Sequence, residues 1–142
     1  MPMTMRATAD FVRKLADVEA VKKWNRDIWC VNGHSVAWER PLSKTDLERL
    51  ADAATPAPKG DVLAVATENL DAKDALLAME LPGFFTIQHF NGYPAVLIEL
   101  RLAQAKHVRA AIAEAHRVAA AKPVRKSRTR PARARTKSPR KK

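Results

Sequence analysis

The chain has 142 residues, with 26 Lys+Arg against 15 Asp+Glu and a formal net charge of +11. An apolar fraction of 46% is enough for a hydrophobic core and excludes a wholly disordered polyelectrolyte, while the length fits one domain, with room for a tail. A single cysteine, Cys30, excludes an intramolecular disulfide and points to a reducing cytoplasmic compartment, and no apolar stretch has the form of a signal peptide or a membrane span.

From Thr8 to Val21, apolar residues at Phe11, Val12, Leu15 and Val18 form one stripe of an amphipathic helix, with Thr8 or Asp10 as its cap. Two runs follow, Ile28 to Val31 and Ser35 to Trp38, rich in aromatic and β-branched residues. They are separated by Asn32-Gly33-His34, and Asn-Gly tolerates the positive φ of a tight turn, so the runs pair as an antiparallel hairpin. Ser43 and Asp46 have the spacing of a capping box, opening a helix from Lys44 to about Ala54 that buries Leu47, Leu50 and Ala54. After a Pro-rich loop at residues 55–60, Asp61 to Ala66 reads as a buried strand. Asp71 to Asp74 opens a short helix that Pro82-Gly83 stops.

Phe84 to Ile87 and Ala95 to Leu100 are the next strands, joined through Asn91-Gly92. In the second, Val96, Ile98, Leu100 and Leu102 share a buried face and Glu99 and Arg101 lie on the other. A last helix between Ala103 and Ala121 packs by Val108, Ile112, Ala115 and Ala119 and ends before Pro123. The expected fold is α+β, a two-layer sandwich of a largely antiparallel sheet with helices packed on one face.

The run from Phe84 to Ile98, FFTIQHFNGYPAVLI, resembles the hallmark block of the MmcQ/YjbR-like family, typically FFTTPHYDGYPAVLV. Trp24, the Val31-Asn32-Gly33 hairpin, Ala37-Trp38 and Arg40-Pro41-Leu42 occur upstream in the family's order, so the similarity spans roughly residues 6–120. Ile87-Gln88 stands where the family has Thr-Pro, and Trp24-Asn25-Arg26 replaces its usual tryptophan-glycine stretch. The resemblance implies a compact fold comparable with CyaY-like and secretion-chaperone-like proteins, and a DNA-binding role through a double-wing surface.

No motif of nucleophilic, nucleotide-binding or metal chemistry occurs, and the four histidines, His34, His89, His107 and His116, lack ligand spacing. Neither catalysis nor a cofactor or metal is expected. Cys30, mid-strand, reads as a half-buried thiol rather than a reactive one. Trp24, Trp29 and Trp38 crowd one hairpin, where they serve either as core or, if exposed, as stacking surfaces. Arg40, His89 and Tyr93, with Trp38, are candidates for a small polar pocket, the alternative for His89 being a hydrogen-bonded structural role.

The charge is unevenly placed. Residues 122–142 hold eleven bases, Lys122, Arg125, Lys126, Arg128, Arg130, Arg133, Arg135, Lys137, Arg140, Lys141 and Lys142, and no acid. Subtracting these eleven from 26 leaves 15 bases for residues 1–121, which also hold all 15 acids. A neutral domain, 1–121, is therefore joined to a polycationic tail, 122–142, that lacks the apolar surface to fold alone. Nucleic acid is the matching partner, DNA ahead of RNA, because each bound phosphate releases a counterion and arginine adds bidentate hydrogen bonds. Ser138-Pro139 followed by Arg140, Lys141 and Lys142 resembles the Ser-Pro-basic-basic motif of histone-like tails that enters A·T-rich minor grooves. No large apolar side chain equips the tail for membrane insertion.

Two functions compete. One is a non-enzymatic DNA-binding protein that binds non-specifically through the tail, using the residues just named, and is nucleoid-associated. The other is a small-molecule or protein-binding module with a pocket around Arg40, His89 and Tyr93, the tail being incidental or merely solubilising.

Overall fold

The computed structural model describes residues 3–23, 26–53, 57–58 and 60–124. Helix α1 (Met5–Arg13) is capped by Thr4, whose hydroxyl accepts from the Ala7 N–H at 3.0 Å. It is shorter than the apolar spacing predicts. Asp17 takes φ 62°, a left-handed conformation that Asp tolerates, and the chain then extends as β1 (Glu19–Lys23). Val18 and Val21 mimic a continued helical stripe, but β-branched residues beyond a chain reversal favour a strand. Strands β2 (Arg26–Val31) and β3 (His34–Glu39) form the expected hairpin, with Asn32 at φ 54° and Gly33 at φ 80° and a bulge between Trp29 and Cys30. Trp29 is fully buried, Cys30 is buried and Trp38 is half-buried; Trp24 lies outside the described residues.

Helix α2 (Lys44–Asp52) has the capping box anticipated at Ser43 and Asp46. It buries Leu50 and, unexpectedly, Asp46, while Leu47 faces outward and Ala54 lies outside the described residues. Strand β4 (Val62–Ala66) and helix α3 (Leu70–Ala78, capped by Asn69) follow. Strand β5 is only Phe84–Phe85, because the chain turns into a 3-10 segment at Gln88–Phe90. Strand β6 (Ala95–Glu99) precedes α4 (Ala105–Ala121), which buries Val108, Ile112, Ala115 and Ala119 as predicted.

The six strands of the described residues pair antiparallel in the order β1-β2-β3-β4-β6-β5. The protein is thus an α+β two-layer sandwich. Leu63 and Val65 of β4 and Val96 and Ile98 of β6 meet Ile112 and Val108 of α4, Val12 of α1 and Trp29 in the main core. The opposite face at the same strands is also apolar, with Val62, Ala64, Ala95 and Leu97 covered by Leu50 of α2 and by Ile87 and Phe90. Cover is therefore not confined to one face: a β4–β6 pair apolar on both sides leaves neither side to water. The alternation expected for β6 fails for the same reason. Glu99 is buried, and Leu102 is exposed because the chain turns at Glu99, whose carbonyl accepts from the Leu102 and Ala103 N–H groups.

Gly83 closes this corner. At φ +83° its Cα lies so near the chain that a Cβ would sit 2.6 Å from the Glu99 carbonyl oxygen and 2.9 Å from the Ala103 nitrogen, both backbone atoms. Gly83→Ala combines left-handed strain with this overlap and is expected to destabilise the fold by about 3 kcal/mol. Chemical denaturation of the two proteins measures it.

Candidate functional site

The second face of the sheet carries an aromatic cluster built on Phe90. The 3-10 turn buries Phe90, and Tyr93 stands edge-on to it at 5.5 Å between centroids and edge-on to Trp38 at 6.4 Å. The Arg40 guanidinium lies over the Phe90 ring at 5.5 Å. One Arg40 nitrogen donates to the Asp46 carboxylate at 3.2 Å and another to the Pro41 carbonyl at 2.6 Å. Asp46 also accepts from the Ser43 backbone N–H at 3.0 Å. Burial alone raises its pKa, but the Ser43 N–H and hydroxyl and the Arg40 charge together outweigh burial and hold it below the ordinary 3.8.

The loop that presents Tyr93 is held from beneath. Lys73 of α3 is buried, and its ammonium donates to the Phe90 carbonyl at 2.6 Å and the Tyr93 carbonyl at 2.8 Å. Burial pushes its pKa down, against a smaller upward pull from Asp74.

Arg40, His89 and Tyr93 thus gather around one ring rather than one pocket. His89 is exposed, tilted against Phe90 at 6.2 Å. A cavity of about 550 Å³ beside the cluster is lined by Arg49, Thr86, Gln88 and Asn91 among others, and by none of the three. Arg40 lines a different hollow, of about 300 Å³, with Lys23, Arg26, Ile28 and Trp38.

The β2–β3 turn grips the end of α4. The Asn32 side-chain amide donates to the carbonyls of Ala120 (3.4 Å) and Lys122 (3.2 Å). His34 Nε2 meets the Pro123 carbonyl at 2.9 Å, and since a carbonyl only accepts, this nitrogen carries the proton. His116 similarly reaches the Ala16 carbonyl at 2.8 Å. Of the basic residues assigned to nucleic acid, Lys122 is placed at the exit of α4, and Arg125 through Lys142 lie outside the described residues. Among the described residues no three His, Cys, Asp or Glu side chains cluster to hold a metal, and no helix is long and apolar enough to cross a membrane.

Over 87 residues the chain is 41% identical to the uncharacterized proteins Rv2570 and MT2646 of Mycobacterium tuberculosis and Mb2600 of Mycobacterium bovis, a span of 61% of this chain and 67% of each relative. The chain belongs to the same family as these proteins. No family model matches it. A crystal structure of a protein from Pseudomonas syringae, structural genomics target PsR293, is similar with a TM-score of 0.60 at 15% identity, over 82% of this chain and 99% of that one, and shares the fold.

In this family member two site features escape a reading of the sequence. Lys73 looks like one more solvent-facing lysine of a short helix, and its carbonyl partners lie 17 and 20 residues away. Asn32 has an evident role in its turn, which conceals its second role at α4. Lys73→Met removes one of the two donors to each carbonyl, the Phe90 and Tyr93 oxygens still accepting from the Tyr93 and Ala95 N–H groups, and is expected to cost about 2 kcal/mol and to alter Trp38 emission as Tyr93 shifts, read by denaturation followed by fluorescence.

For Asp46 the folded pKa lies below the unfolded one, so its contribution is present above about pH 4 and disappears as pH falls through the folded value. Asp46→Asn is expected to melt at a lower temperature than the parent near neutral pH, with the gap narrowing below about pH 4. Thermal melts across acid pH test this.

Proposed function

We propose that the protein is a non-enzymatic, MmcQ/YjbR-like DNA-binding protein that holds DNA non-specifically, mainly through its basic C-terminal tail, in the cytoplasm and at the nucleoid. The observation that carries this is the partition of charge: residues 1–121 balance 15 bases against 15 acids, and residues 122–142 add eleven bases with no acid. Such a segment gains most from a partner with a dense row of phosphates. The exit of α4 supports the same reading, since Asn32 and His34 fix the backbone at Lys122 and Pro123, where the basic run begins. The competing pocket reading has less support, because the cavity beside the cluster is lined by none of Arg40, His89 and Tyr93, and the hollow that Arg40 lines has neither of the other two.

If about eight of the eleven bases meet phosphates, log K on duplex DNA falls with log[salt] at a slope near −7. Changing every Lys and Arg of residues 125–142 to Gln in the full chain is expected to abolish the gel shift of a duplex at moderate salt and to flatten that slope. Equal binding by the parent and the neutral-tail protein overturns the proposal.

A further inference from the structure

Among the described residues, α2 and the turn through Phe90 cover the second sheet face at β4 and β6, and the face at β1 and β2 carries no such cluster. Its floor is apolar: Val21 and Ile28 are half-exposed across from each other, and Cys30 continues the row. Two adjacent hollows of about 300 and 470 Å³ share Lys23 and Ile28 and together follow β2 as a trough. At one end stands Trp38, with Tyr93, 48% exposed, edge-on beside it. At the other end is Gly33, in the turn whose neighbours Asn32 and His34 hold the start of the tail.

The rim is cationic. Lys22, Lys23, Arg26 and Arg40 line the trough, against one lining carboxylate, Glu39, which accepts from the Asp27 N–H at 3.1 Å. Lys22 is paired with Asp27 and Arg40 with Asp46, whereas Lys23 and Arg26 project as exposed residues from adjacent strand ends.

An apolar floor, an aromatic end wall and a basic rim together suit a strand of nucleic acid with unpaired bases. Its bases would stack on the aromatics while its phosphates meet the rim, and a duplex keeps those base faces to itself. We infer that this trough is a single-stranded nucleic-acid site, with Tyr93 and Trp38 as stacking surfaces and Lys23 and Arg26 as phosphate contacts. The inference rests on the nucleic-acid reading of the tail and assigns the folded body a part in it. The 18 residues beyond Val124 start at the Gly33 end and reach about 60 Å when extended, against about 20 Å for the trough, so one bound strand can engage both.

Fluorescence anisotropy of the full chain on labelled oligothymidylate and oligouridylate of roughly 15 nucleotides, and on a duplex of equal length, tests it. Lys23→Gln with Arg26→Gln, both exposed, is expected to weaken single-strand binding about tenfold and to reduce its salt slope by about 1.4, leaving the duplex within about twofold. Tyr93→Ala is expected to lose about tenfold on the single strands only, with an unchanged melt showing an intact fold. No loss in the Lys23/Arg26 variant, or an equal loss on both probe types, overturns the trough. Failure of the tail reading is separate: it appears as duplex binding retained by the neutral-tail protein, whatever the rim variants do. A matching loss on oligothymidylate and oligouridylate supports recognition through stacking and phosphate, and a loss confined to one of them overturns it in favour of a contact to the 2′-hydroxyl or the thymine methyl.

Discussion

The β4–β6 pair is apolar on both sides, and most of the architecture follows from having to keep both sides dry. On one side Leu63, Val65, Val96 and Ile98 require a long helix, supplied by α4 with α1 beside it. On the other Val62, Ala64, Ala95 and Leu97 require a second cover, supplied by α2 and the turn through Phe90. These two covers occupy the centre of the sheet. The second cover ends before β1 and β2, whose second face alternates apolar and charged residues and tolerates water, whereas on the first face the main core continues to Trp29 and Val31 of β2. The division between a sealed centre and an open flank is therefore set by which strands carry an unbroken apolar run.

The junction between sealed and open regions is where polar groups accumulate. Arg40 is anchored by Asp46 and lies on Phe90, and Lys73 reaches through from α3 to hold the carbonyls of Phe90 and Tyr93. A buried ammonium is costly unless its protons are accepted, and the turn at residues 90–93 offers two carbonyls that each take the ammonium as a second donor beside the Tyr93 and Ala95 N–H groups. The result fixes an aromatic loop that has little regular structure of its own, so Tyr93 is presented at a defined angle to Trp38.

Much of this was legible in the sequence where the signal is local. Asn32-Gly33 specifies its hairpin through backbone conformation, Ser43 and Asp46 specify a helix start through two reciprocal hydrogen bonds, and the α4 stripe at Val108, Ile112, Ala115 and Ala119 follows from helical period. What was not legible depends on distant partners or on competition between periods. Val18 and Val21 satisfy both a helical stripe and a strand, and the reversal at Asp17 decides between them. Glu99 looks solvent-facing until the Gly83 corner folds over it. Arg40, His89 and Tyr93 stand around the Phe90 ring, an arrangement set by tertiary packing that no local pattern encodes.

The two outermost strands differ from the rest in what they offer another polypeptide. β1 bears Glu19, Lys22 and Lys23 in five residues with only Ala20 and Val21 between them, and β5 is two residues long before the chain leaves the sheet. Unpaired backbone groups at a sheet margin invite a further strand, and charge on one margin with brevity on the other discourages it. The sheet is thereby closed to lateral growth. For a chain with a strongly apolar centre, this keeps intermolecular strand pairing from competing with its own fold.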